Sequence, residues 1–248
     1  MELLIDTHTH TVVSGHAFST LCENLAAASR KGLEGIVMTE HAKSVPGAQP
    51  NMITSIGKEL DEEYYGVRLY KGSELNITDY EGATDMSERR LNMLEFAIVS
   101  LHSVVIEPGT IEQNTAALLA AYSSPHVDII GHPGNPTFPA DYEALVKAAR
   151  DMGKLLEINN HSFYVRTGSR ENCLNIAKLC KKYDVRICVG SDAHFCEKVG
   201  SFEKARELLA DADFPEELIV SRSRRAFDGY LGERKKRLME YSAGTACV

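Results

Sequence analysis

Asp6-Thr7-His8-Thr9-His10 follows directly on the apolar run Leu3-Leu4-Ile5, and His16 comes six residues after His10. On an extended strand, side chains two apart share a face, so Asp6, His8 and His10 point one way and Thr7 and Thr9 the other. Two neutral imidazoles side by side at a strand end suit an ion such as Zn, Fe, Ni or Mn. For this short motif alone the alternative is a pair of unrelated surface histidines, because such patterns also arise by chance. Asp192-Ala193-His194 repeats the same i, i+2 geometry near the other end of the chain.

Such residues need elements to carry them, and the chain supplies one repeating unit: a short β-rich apolar run, a polar cluster, then a helical stretch. The first strand is about residues 2–8, and a helix starts near Ser19, a candidate N-cap with Glu23 in its first turns, and stops at Gly32. The second strand, LEGIVMTEH, ends at His41. A loop with Pro46, Gly47 and Pro50 leads to a helical piece near 52–65, and the third strand, VRLYKGSELNI, carries Glu74. A short helix over 86–93 precedes EFAIVSLH, which ends at His102; a helix near 112–122 precedes VDIIGH, which ends at His132. A helix over 140–152 stops at Gly153, and the sixth strand is KLLEINN. A helix over 170–182 precedes VRICVGSDAH, the strand that brings Asp192 and His194. The tail, 201–238, reads as a helix, a short extended step near 220 and a last basic helix.

Strands that are apolar without alternation belong to parallel sheets buried on both faces. Successive right-handed β-to-β crossovers curl such a sheet into a barrel, an α/β fold that 248 residues suit as a single domain over 1–248. An open doubly wound sheet is the alternative, but no G-x-G-x-x-G opens any helix, so a dinucleotide site lacks support. With 44% hydrophobic and 25% charged residues the composition is that of a globular protein. The formal net charge of −8 argues against a nucleic-acid polymer as partner, which calls for a basic face. No signal segment and no apolar run long enough for a bilayer are visible, so a cytoplasmic protein with no membrane contact is expected. Cys22, Cys173, Cys180, Cys188, Cys196 and Cys247 form no C-x-x-C pair and read as reduced core or surface residues.

In a parallel barrel the C-terminal strand ends form the face where active sites sit. His8, His10, His41, Glu74, His102, His132, Asp192 and His194 all fall at or just beyond such an end. With His16 they make nine metal-capable groups, seven His, one Glu and one Asp, and only His126 and His161 remain of the nine histidines. One ion needs about four or five donors, so nine suit two or three ions with a bridging carboxylate. Two negative charges against two or three divalent cations leave the bowl positive, and such a bowl attracts an anion such as phosphate.

DTHTH, His16, TEH, GSELNI, SLH, GHPGNP, EINNHS and GSDAH together resemble the motifs of the PHP (polymerase and histidinol phosphatase) superfamily, over roughly residues 1–240. Its small stand-alone bacterial phosphatases with a trinuclear metal site are the nearest match. The resemblance implies a distorted seven-stranded (β/α)7 barrel. It puts His8, His10, Glu74 and Asp192 on one metal, His16, His41 and His194 on a second, and Glu74, His102 and His132 on a third, with Glu74 bridging. Three divalent ions follow, usually zinc, with iron or manganese as alternatives, and self-association is a further expectation. The implied reaction is hydrolysis of phosphomonoesters by a metal-bridged hydroxide, with Glu74 and Asp192 as catalytic carboxylates.

Other residues are open to two readings. Asp6 could hold an imidazole or make structural hydrogen bonds. Asn76, Asn159 and Asn160 could donate to a phosphate or serve turns. Arg166, with Arg170 nearby, offers a guanidinium fork for a phosphate, or is a solvated loop charge. His161 is expected to be a loop histidine rather than a proton donor, Glu157 to make a core hydrogen bond, and His126 to be structural. The basic run Arg222, Arg224, Arg225, Arg234, Lys235, Lys236 and Arg237 is expected to be a solvated helix face. Histidinol-phosphate hydrolysis, or an amidohydrolase-type attack on lactones or amides, are the competing activities. The second wants a carbamylated Lys or equivalent, which the Glu74 and Asp192-Ala193-His194 pattern replaces.

Overall fold

A computed structural model describes residues 1–245; Cys247, read above as a free thiol, lies outside them. Seven parallel strands run in chain order around the molecule: β1 (Ile5–Thr9), β2 (Gly35–Met38), β4 (Val67–Asn76), β5 (Phe96–Ser100), β6 (Ile129–Ile130), β7 (Leu155–Asn159) and β8 (Ile187–Gly190). Between β2 and β4 lies β3 (Glu63–Tyr64), a short antiparallel addition to β4. The seven parallel strands are buried throughout apart from Lys71, as their unbroken apolar runs require. At the C-terminal end the ring almost closes, with Thr9 bridging Ala193 in parallel and Thr7 donating to Val189 O. At the other end residues 219–221 wedge between β1 and β8, where Leu4 N donates to Ser221 O and Ile219 bridges Ile187. That wedge distorts the barrel.

Helices cover the outside: α1 (Leu21–Arg30), α2 (Glu88–Leu91), α3 (Ile111–Ser123), α4 (Tyr142–Met152), α5 (Ser162–Val165), α6 (Ser169–Tyr183) and α7 (Glu203–Asp211). Their ends follow local chemistry. Thr20 with Glu23, and Thr110 with Gln113, form reciprocal capping boxes, Asp141 caps α4, and Gly153 ends it in the left-handed conformation. The cap of α1 is therefore Thr20 and not Ser19, whose hydroxyl instead accepts from Cys196 N. The expected helical piece at 52–65 is a π-helical turn (Met52–Ile56) and a 3-10 turn (Gly57–Glu59) that give way to β3. The extended step near 220 is likewise a pair of 3-10 turns.

The last helix, α8 (Arg224–Thr245), closes the N-terminal mouth. Phe227 packs edge-on against Tyr70 at 4.9 Å and lies 5.3 Å from Phe96, within a cluster that includes Ile5, Ile98, Ile129 and Tyr230. Here the solvated-face expectation holds for exposed Arg225, Lys235 and Lys236 and fails at two arginines. Arg234 and Arg237 turn inward onto the fully buried Asp128, at 2.8 and 2.7 Å, because a carboxylate under a closed barrel needs cationic partners. His126 lies at this same floor, where its carbonyl accepts from Arg234. Cys173, Cys180 and Cys188 are buried, and Cys22 is exposed. Among the described residues no helix is long and apolar enough to cross a membrane.

Candidate metal centre

The C-terminal face gathers all nine groups singled out above. His8 is the penultimate residue of β1, and His10 follows its end; Glu74 lies in the last third of β4, while His41, His102, His132, Asp192 and His194 sit just past the ends of β2, β5, β6 and β8. His16 comes from the loop after β1. The deep end, with His8, His10, His41, Glu74, His132 and Asp192, is buried; His102 and His194 are half-buried and His16 is exposed. His132 (φ 31°) and Asp192 (φ 53°) adopt left-handed backbone, a strain tolerated where surrounding structure fixes a functional side chain.

Glu74 divides the cluster. Its Oε2 lies 3.3 Å from His8 Nε2, 3.5 Å from His10 Nε2 and 3.1 Å from His41 Nδ1. Its Oε1 lies 3.0 Å from His132 Nε2 and 3.3 Å from His102 Nε2, and those two nitrogens are 3.2 Å apart. Asp192 Oδ1 completes the first group at 3.3 Å from His10 Nε2 and 3.7 Å from His8 Nε2. Towards the mouth His194 Nε2 and His16 Nε2 approach to 2.9 Å, and the His41 ring lies 5.0 Å from that of His16. Donor atoms around a tetrahedral zinc, with bonds near 2.1 Å, stand about 3.4 Å apart. The spacings within the cluster are of that size. Three subsets, His8–His10–Glu74, His41–Glu74–His102 and His10–His41–His194, have all their donor atoms within 4.8 Å of one another.

The far side of most rings is fixed. His8 Nδ1 meets Glu157 Oε1 at 2.8 Å, His10 Nδ1 meets Ser14 Oγ at 3.0 Å, and Ser14 in turn donates to Glu40. His102 Nδ1 meets Asn76 Oδ1 at 2.8 Å, His16 Nδ1 meets Ser14 O, and His194 Nδ1 meets Asp192 O. Each contact directs Nε2 inward, the arrangement outer partners give to metal-binding imidazoles. Glu157, expected only to make a core hydrogen bond, also accepts from His132 N at 2.6 Å and so ties two candidate ligands together. Asp6 holds no ring; it accepts from the backbone of Ser191 and Gly200. Asn76 and Asn159 are positioning groups rather than phosphate donors, Asn159 Nδ2 reaching Asp192 Oδ2 at 3.2 Å, while Asn160 accepts from Ala205 N.

The electrostatics call for cations. Burial holds His10 down at about 3, with His194 adding to it, and burial likewise lowers His41, His132 and His16, so these rings keep a free lone pair at neutral pH. Burial works against ionised Glu74 and Asp192 too, but the facing imidazoles, His8 foremost, outweigh it and keep both carboxyls well below their usual range. His8 is also buried, yet Glu157, Glu74 and Asp192 push it well above its ordinary value. Buried His41 Nδ1 has no hydrogen-bond partner although it faces Glu74. Inward lone pairs, two ionised carboxylates and an orphaned ring nitrogen make a donor set that fits divalent metal.

A cavity of about 230 Å3 sits over this cluster, lined also by His161, Val165 and Arg166. His161 is thus no mere loop histidine: its ring stacks on His194 at 5.9 Å. Arg166 Nη1 donates to Ser162 Oγ at 2.8 Å and lies 3.7 Å from Asp192 Oδ2, whereas Arg170 pairs with Asp211 on the surface, away from the cavity.

No protein-family model matches the chain. It is 44% identical to a protein of Acetivibrio thermocellus named a probable phosphatase, over 96% of this chain and 99% of that one. A probable phosphatase of Caldanaerobacter subterraneus is 47% identical over 96% of this chain and 94% of that one. Among solved structures, histidinol phosphate phosphatase from Lactococcus lactis, complexed with zinc, L-histidinol and phosphate, superposes with a TM-score of 0.61 at 18% identity, covering 85% of this chain and 94% of that one.

Proposed function

The chain belongs to the PHP-type family of these bacterial phosphatases, and on that premise we propose that it hydrolyses small phosphomonoesters at a centre of three divalent ions. The observation that carries this reading is the division of Glu74, whose two carboxylate oxygens face two different sets of imidazoles. One ion belongs to His8, His10, Glu74 and Asp192, a second to His16, His41 and His194, and a third to Glu74, His102 and His132. Zinc suits this nitrogen-rich set first, with iron or manganese as alternatives. Ions bound there supply Lewis acidity to phosphoryl oxygens and lower the pKa of water.

The chain's own groups do the rest. Glu74 would offer one carboxylate oxygen to each of two ions. Asp192, anchored by Asn159, keeps its other oxygen on His10. Arg166, steadied by Ser162, grips a phosphoryl oxygen. Water adds to phosphorus as the P–O bond to the alcohol breaks, and His161, the group we assign as proton carrier, takes the proton the water releases and hands one to the departing oxygen. Residues 1–248 act as one unit in this reading, supported by relatives matched over nearly their whole length.

His10→Ala and Asp192→Ala test it. Each is expected to lose about one ion per chain and at least about a thousandfold in phosphatase kcat/KM. Full activity with normal metal content in either variant would overturn the proposal.

A further inference from the structure

The cavity over the metal cluster opens into a larger one of about 530 Å3, and the two share His16, His41, His102, Val165 and Arg166. That volume matches a small-molecule site. Beyond the shared groups its wall is apolar at Val45, Pro46, Leu101 and Val104, and polar but neutral at Ser103, Asn135 and Thr137. Among the described residues lining it, Arg166 is the one outside the metal cluster that carries a charge, and it stands at the junction with the inner cavity. In the phosphatase reading, on which this inference rests, Arg166 is already committed to the transferred phosphoryl group. An ammonium on the alcohol would face this wall with no carboxylate to pair it, and a second phosphate would find no further cation. Moving either charge out of water against such a wall is unfavourable. An uncharged alcohol meets no such penalty and gains contact with the apolar side.

We propose that this outer cavity selects phosphomonoesters of uncharged, largely apolar alcohols and discriminates against alcohols bearing an ammonium or a second phosphate. Histidinol phosphate, with its amine, falls in the disfavoured class. Ser103, Asn135 and Thr137 suit one hydroxyl or ring heteroatom on the alcohol and do not suit a full charge.

One scaffold tests this with the metal-loaded full chain: benzyl phosphate, 4-(aminomethyl)benzyl phosphate and benzene-1,4-dimethanol bisphosphate. The corresponding non-hydrolysable phosphonates are titrated by calorimetry in parallel. Benzyl phosphate is expected to exceed both charged esters in kcat/KM by at least about tenfold, and its phosphonate to bind more tightly in the same order. Val104 is 66% exposed, so Val104→Asp is compatible with the fold. That variant is expected to narrow the gap for the aminomethyl compounds and leave the bisphosphate disfavoured. Equal or better use of either charged ester by the wild type, or phosphonates bound without preference, overturns the proposal. Phosphonates that bind in the expected order while every ester stays intact would support the cavity's selectivity and overturn the hydrolytic reading instead.

Discussion

Glu157 ties two candidate ligands, His8 and His132, to each other. It lies in the middle of β7, buried, with Oε1 on His8 Nδ1 and Oε2 accepting from His132 N and Asn159 Nδ2. A histidine at a strand end advertises itself by type and position, which is why the nine candidate ligands could be read from the chain. Glu74, close to the end of β4, shares that advantage, whereas a glutamate in the middle of an apolar strand gives no such signal, because its partner is 149 residues away and meets it only when the barrel curls round. The placement of His161 beside His194 is hidden for a similar reason: it depends on how the loop after β7 folds. Glu157→Gln keeps the shape but lets the amide present its NH2 to His8. We expect metal affinity, measured by competition with a chelator, to fall about 10- to 100-fold. Unchanged affinity would mean that Glu157 only fills space.

The strands around the site are in close contact. β8 passes so near β1 and β7 that a Cβ on Gly190 would meet both Glu157 Oε1 and His8 Cβ at 2.5 Å. Gly190→Ala is therefore expected to push Glu157 off His8, cost about 1–3 kcal/mol of stability and weaken metal binding. Calorimetric unfolding and metal titration check this together, and wild-type values in both would contradict it. Element types and order are legible because parallel strands buried on both faces need apolar runs, and glycines such as Gly32 and Gly153 mark helix ends. Boundaries are less so. The apolar pattern of LEGIVMTEH runs on to His41, whereas β2 ends at Met38 and the chain then turns aside to bring His41 beside Glu74. Segment 52–65 mixes residues compatible with several turn types, and its hairpin partner β4 decided the outcome.

At the scale of the whole molecule, the metal face and the floor have opposite characters. The floor gathers charge under a closed end: Asp128 takes Arg234 and Arg237, and buried Lys154 donates to the carbonyls of Tyr122 and Ser124. The basic run on α8 looked solvated in the sequence because nothing local marks which arginines turn inward; that depends on Asp128, about a hundred residues earlier. Burial pushes Lys154 down to about 7, with Arg237 adding to it. An unfolded chain keeps that lysine protonated to about pH 10.4. Above pH 7 the unfolded state thus binds the extra proton, and raising the pH favours the folded state. Between pH 7 and 9 the wild type should gain about 2 kcal/mol relative to Lys154→Met, measured by urea unfolding. Parallel pH profiles for the two proteins would contradict this.

In the reading proposed above, Glu74 joins ions held by separate groups of imidazoles on one barrel face. Mass-spectrometric metal analysis of purified, metal-loaded and dialysed protein, run beside Glu74→Gln, tests it most directly. Three ions per wild-type chain and about one in the variant are predicted, the survivor being that of His16, His41 and His194. A wild type holding one ion or fewer, or a variant that keeps all three, would contradict the account.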